Sequence, residues 1–137
     1  MNYIKSFESL RISDIILNLK DIFKDLSDDI LLYEPGDAKS FKYDIYIKEQ
    51  DKYIFLGIYK NSTGIKNSKA EDIYLYEVID FVKRSIDYLN TEGFKIDTVI
   101  PYGFDPNFDR DKLDLAIDYW DPNCKMLALN IYFVEAN

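Results

Sequence analysis

Between Phe41 and Lys48 apolar and polar side chains alternate without a break, with Phe41, Tyr43, Ile45 and Ile47 on one side and Lys42, Asp44, Tyr46 and Lys48 on the other. A period of two belongs to a strand that turns one face to a core. The run Tyr53 to Tyr59 is apolar enough to be buried on both faces, and Gln50-Asp51 between the two segments reads as a polar turn. Together they predict a β-hairpin over Phe41–Lys60. Closing it with Glu49 opposite Lys52 sets Ile47 against Ile54, Ile45 against Leu56 and Tyr43 against Ile58 on one face. Tyr46 against Phe55, Lys48 against Tyr53 and Asp44 against Gly57 then share the other. One face is aliphatic and needs cover; the other is aromatic with a few charges.

Two helical stripes supply the cover. Ile12, Ile15, Ile16, Leu19, Phe23 and Leu26 recur at helical spacing, with Ser13 as the predicted cap and Asn18, Asp21, Lys24 and Asp25 on the wet side. Leu75, Val78, Ile79, Val82, Ile86 and Leu89 form the second stripe, in a helix predicted to start at the Ser68/Glu71 capping box and to end at Gly93. Between these elements, Ile30 to Tyr33 reads as a short strand closed by the turn Glu34 to Asp37. Asn61 to Asn67 reads as a polar loop. Phe94 to Ile100 is a strand stopped by Pro101, and Tyr102 to Asp111 is an irregular acidic loop.

Lys112 to Phe133 repeats the hairpin pattern. Leu113, Leu115, Ile117 and Tyr119 alternate with Asp114, Ala116, Asp118 and Trp120, and a turn at Pro122-Asn123-Cys124 returns an apolar strand from Lys125. Trp120 and Met126, Asp118 and Ala128, and Asp114 and Tyr132 then face outward in pairs. The two halves, residues 1–67 and 68–137, each read as helix, strand and hairpin, a degenerate αβββ repeat within a single α+β domain. The architecture that buries both stripes is a mostly antiparallel sheet of about six strands with two helices on one face.

Composition removes most catalytic classes. The chain of 137 residues has no histidine and one cysteine, Cys124. Histidine-dependent nucleophile systems, the common zinc sites and an internal disulfide therefore fall away. No glycine-rich phosphate loop is present, and no cofactor is implied. The net charge of −8 disfavours nucleic acid and anionic membranes, and favours a basic protein partner. Nothing near Met1 reads as a secretion signal, so a cytoplasmic location is expected.

Smaller signals carry bland readings. Asp105 to Asp111 alternates oxygen ligands as a calcium loop does, yet Arg110 stands where the turn glycine belongs and Ala116 where the bidentate glutamate belongs. A solvated acidic loop is the better account. Asp44, Asp114 and Asp118 could converge for acid–base work, but no second catalytic signature accompanies them. The outward sheet face remains, with Tyr46, Tyr53, Phe55, Tyr59, Trp120 and Tyr132 as an aromatic centre and Asp44, Asp114 and Asp118 as an acidic rim. Such a face fits a non-enzymatic, protein-binding inhibitor of the kind found among bacterial immunity proteins, antitoxins or phage anti-defence proteins. The alternatives are a domain that sequesters a metabolite or nucleotide against the same tyrosines, and a homodimer formed through them.

Overall fold

The computed structural model describes residues 2–28, 40–63, 68–103 and 116–136. Helix α1 (Asn2–Ile22) is followed, after a turn at Phe23, by the short α2 (Lys24–Asp28). Strands β1 (Ser40–Gln50) and β2 (Tyr53–Thr63) form the expected hairpin. The short β3 (Ser68–Ala70) and β4 (Ile73–Tyr74) lead into α3 (Leu75–Thr91) and β5 (Phe94–Tyr102). A 3-10 turn at Ile117–Tyr119 precedes β6 (Lys125–Met126) and β7 (Ala128–Glu135). The main sheet is antiparallel in the order β1-β2-β7-β5, with β3 beside the end of β2, and β4 pairs with β6 in a small second sheet. The fold is α+β, with helix, outer strand and inner strand following one another in each half.

The core lies between one face of this sheet and the helices. Ile15, Leu19, Phe23 and Leu26 from α1, the turn and α2 join Val78, Val82 and Leu89 from α3 over Ile54, Leu56, Ile58, Leu129, Ile131 and Phe133. Those sheet residues alternate along β2 and β7, so every second side chain points to the helices. The helices also hold each other. Phe23 stacks on Phe81 at 5.9 Å, and the Asn18 amide donates to the Tyr88 hydroxyl at 2.8 Å. Among the described residues no helix is long and apolar enough to cross a membrane.

Several expectations are corrected. The hairpin turns at Asp51-Lys52, where Asp51 takes a left-handed φ of 54° that aspartate tolerates, so Ile47 faces Leu56 and Ile45 faces Ile58. The slide is by two residues along β2, which keeps every side chain on its expected face. Helix α1 starts ten residues before the expected stripe begins, leaving Ser13 inside the helix and not at its cap. Ser68 to Ala70 extends the sheet against Asn61–Thr63, and α3 begins only at Leu75. There the Tyr74 N–H donates to the Glu77 carboxylate, while the Leu75 and Tyr76 N–H groups, orphaned at the helix start, donate to the carbonyls of Cys124 and Pro122. Gly93 follows the helix at φ 89°, as a C′ glycine should.

The second hairpin does not form as expected. β7 already has β2 on one side and β5 on the other, so it offers no edge to the partner strand expected over Leu113–Tyr119. Ile117–Tyr119 is a 3-10 turn instead, and the symmetrical αβββ repeat is lost with the hairpin. The expected strand at Ile30–Tyr33, the turn at Glu34–Asp37 and the Asp105–Asp111 loop lie outside the described residues.

Candidate functional site

The sheet face turned away from the helices gathers aromatic side chains from three neighbouring strands. Tyr46 of β1 meets Tyr59 of β2 edge-on at 5.4 Å. Tyr132 of β7 meets Tyr53 at 6.0 Å and Phe55 at 5.1 Å. The strand period puts all five rings on one side, since Tyr53, Phe55 and Tyr59 alternate with the buried Ile54, Leu56 and Ile58. Tyr46 is 54% exposed and Tyr53 37%, whereas Phe55 is buried beneath its neighbours.

Phe55 is covered because the backbone beside it is bare. Its ring lies over Gly57, and the Lys48 ammonium sits 5.5 Å from its centroid. Asn130, opposite Gly57 on β7, is a buried polar residue on this face, 3.4 Å from the Tyr59 hydroxyl. Tyr46, Lys48, Phe55, Tyr59 and Asn61 line an open cleft of about 530 Å³. At its rim the Asn61 amide donates to the Asp44 carboxylate, which also stands 3.8 Å from the Lys42 ammonium.

Five of the six expected aromatics, Tyr46, Tyr53, Phe55, Tyr59 and Tyr132, thus come together with Asp44. Trp120 does not. It is 3% exposed and belongs to the core cluster with Ile73, Leu75 and Met126, the last also expected outside. The 3-10 turn at Ile117–Tyr119 replaces the strand period that would have aimed Trp120 outward. Asp118 falls in the 3-10 turn and not on a strand, and Asp114 lies outside the described residues. Of the expected acidic rim the structure places Asp44 on the aromatic face, partnered by Asn61 and Lys42. Cys124, expected at a hairpin tip, is buried. Asn61 and Asn130 are additions. Asn130 was readable as the polar interruption in the apolar run Leu127–Val134, since a buried polar residue in a strand marks a specific contact.

A polar group on the opposite face ties the hairpin to α3. Lys60 Nζ lies 3.0 Å from Glu77 Oε2 and 5.5 Å from the Tyr43 ring, and the Tyr43 hydroxyl donates to the same carboxylate. Burial raises the Glu77 carboxyl above its usual range and lowers the Lys60 ammonium. The pair is structural and fills the space where β2 passes under the start of α3.

Searches against protein-family models, curated proteins and solved structures find no match. The aromatic face offers ring contacts, the Lys48 ammonium, the amides of Asn61 and Asn130, and the Asp44 carboxylate. Among the described residues no cluster of His, Cys, Asp or Glu suited to a metal ion is present.

Proposed function

We propose that the chain is a non-enzymatic protein-binding inhibitor whose contact surface is the aromatic face of the sheet. The observation that carries this reading is the pair Tyr46–Tyr59 and the trio Tyr53–Tyr132–Phe55, side by side on one face of three neighbouring strands, with Tyr46 and Tyr53 exposed. Tyrosines offer large contact area at small entropic cost, and an apolar patch of this kind on a stable sheet marks an interface more often than a free surface. The rigid sheet holds the rings in place before contact, which lowers the ordering cost of binding. The net charge of −8 supplies long-range attraction to a basic partner.

The test is affinity capture from the source cells with the full chain, comparing wild type with Tyr46→Ala/Tyr53→Ala. A protein retained by wild type and lost with the double variant supports the reading. Equal retention by both moves the contact elsewhere on the molecule.

The cleft beside Tyr46 favours a second reading, a small planar ligand resting against Tyr46, Tyr59 and Phe55 with Lys48 and Asn61 as polar anchors. Its volume falls within the usual range for ligand sites, about 300–1,000 Å³. A rise in melting temperature with a nucleotide or an aromatic acid, abolished by Lys48→Ala, would favour this reading over protein capture.

A further inference from the structure

The two edges of the sheet are finished differently. β5 at one end carries Pro101 within its length, is interrupted by an irregular register between Ile96 and Thr98, and exposes Lys95 and Asp97. Proline, a bulge and charges are the devices that keep a sheet edge from pairing with another chain. β1 at the opposite end is 11 residues long, contains neither proline nor glycine, and keeps unbroken register with β2 from Ser40↔Thr63 to Gln50↔Tyr53. The two-residue turn makes Gln50–Tyr53 a hydrogen-bonded pair, so the even-numbered residues of β1 bond to β2. The N–H and C=O groups of Tyr43, Ile45, Ile47 and Glu49 then point away from the sheet. Among the described residues no strand pairs with that edge.

We propose that β1 pairs antiparallel with β1 of a second copy of this chain, about a two-fold axis through Tyr46. The side chains select this register. With Tyr46 opposite Tyr46, Asp44 of each copy stands opposite Lys48 of the other, and Ile45 stands opposite Ile47. Tyr43 then meets Glu49 and Lys42 meets Gln50, so no like charges oppose each other. Sliding to put Ile45 on the axis sets Lys42 against Lys48, sliding to Asp44 sets two carboxylates together, and sliding the other way to Ile47 gives up both Asp44–Lys48 pairs, setting Asp44 against Gln50. In the chosen register Tyr46 and the Asp44–Lys48 pairs occupy the non-hydrogen-bonded sites, where side chains approach most closely. The contact is self-complementary, as a two-fold interface must be.

The dimer goes beyond the proposed function and does not depend on it. It makes one continuous sheet in which the two aromatic faces run together across Tyr46, doubling the recognition surface and placing the two clefts side by side. Each Asp44 carboxylate, held in its own protomer by Asn61 and Lys42, gains a lysine across the axis.

Sedimentation equilibrium of the purified full chain tests it without any partner present. Wild type should sediment at twice 16.2 kDa at micromolar concentration. Asp44→Lys, which sets lysine against lysine at both symmetric sites, should weaken the dimer about tenfold or more. Asp44→Lys/Lys48→Asp restores opposite charges and should recover it. If Asp44→Lys fails to fold by far-ultraviolet circular dichroism, Lys48→Asp alone carries the same comparison. A wild type that is monomeric throughout overturns the proposal, as does a dimer indifferent to the single charge reversal or not recovered by the swap.

Discussion

The ring of Phe55 lies so close over Gly57 that a methyl group built on the glycine would stand 2.9 Å from Cε1 and Cζ. The same methyl would meet Asn130 Oδ1 at 3.2 Å. The glycine is therefore required by its neighbours, since its φ is not in the left-handed region. Gly57→Ala should push the Phe55 ring away from Tyr132 and into solvent, at a cost of about 1–2 kcal/mol. Urea denaturation gives the cost, and a changed near-ultraviolet tyrosine signal would locate it on this face. An unchanged signal with undiminished stability would show that the ring packs elsewhere.

Trp120 is the one tryptophan of the chain and is 3% exposed, so it reports on the core and not on the aromatic face. Its emission should be blue-shifted when folded and move to the red on unfolding. Trp120→Ala should cost about 3–5 kcal/mol by leaving a cavity in the core cluster. Stability little changed by this substitution would contradict the buried placement.

Lys60 and Glu77 are coupled through burial, with side chains 11% and 16% exposed. Lys60→Met leaves the Glu77 carboxylate with only hydrogen-bond partners, and should cost about 1–3 kcal/mol at pH 7. Because burial raises the Glu77 carboxyl, its favourable contribution is complete below its unfolded value and is lost as pH rises through the higher folded value. The deficit of Lys60→Met should therefore shrink as the pH is lowered from 7 toward 4.5. Lys60, with a lowered value, acts in the opposite sense and adds stability as pH rises toward 10.5. Lys60→Met/Glu77→Leu should recover most of the loss at pH 7. Chemical denaturation at several pH values reads all three outcomes.

Arg11, midway along α1, reaches the C-terminal end of α3. Its guanidinium donates to the Glu92 carbonyl that closes α3, lies 5.7 Å from the Phe94 ring centroid and is 3.9 Å from the Glu135 carboxylate. Arg11→Ala should cost about 1 kcal/mol, since a cation at a helix C-terminus and a stacked ring each contribute a fraction of that amount. Arg11→Lys should restore only part of it, because an ammonium cannot stack flat while donating sideways. Thermal unfolding separates the three proteins.

The hairpin and both apolar helix stripes were legible because each is periodic over many residues. The register was less so. Gln50-Asp51 and Asp51-Lys52 are equally polar, and a slide of two leaves the buried set Ile45, Ile47, Ile54, Leu56 and Ile58 unchanged. Ser68 and Glu71 form a sound local capping pattern, yet pairing with Asn61–Thr63 outweighs it and α3 waits for Glu77. The alternation at Leu113–Tyr119 misled for a topological reason. It records which side chains want burial, but whether a strand can form depends on a free edge, and β7 has none. Trp120 was misplaced by that error, whereas Tyr46, Tyr53, Phe55, Tyr59 and Tyr132 were placed correctly because their strands were.

The pairing of β2 with β7 has a kinetic cost. It joins Tyr53–Tyr59 to Ala128–Val134, far apart in the chain, and it is the seam on which the whole main sheet depends. Proteins dominated by such distant contacts fold slowly, in about milliseconds to seconds, because a large loop must close before the contact rewards it. During synthesis the β1–β2 hairpin leaves the ribosome long before β7 exists, with its apolar side half covered and both of its edges bare. Until the second central strand arrives, this part of the chain is at its most vulnerable to aggregation and to capture by chaperones.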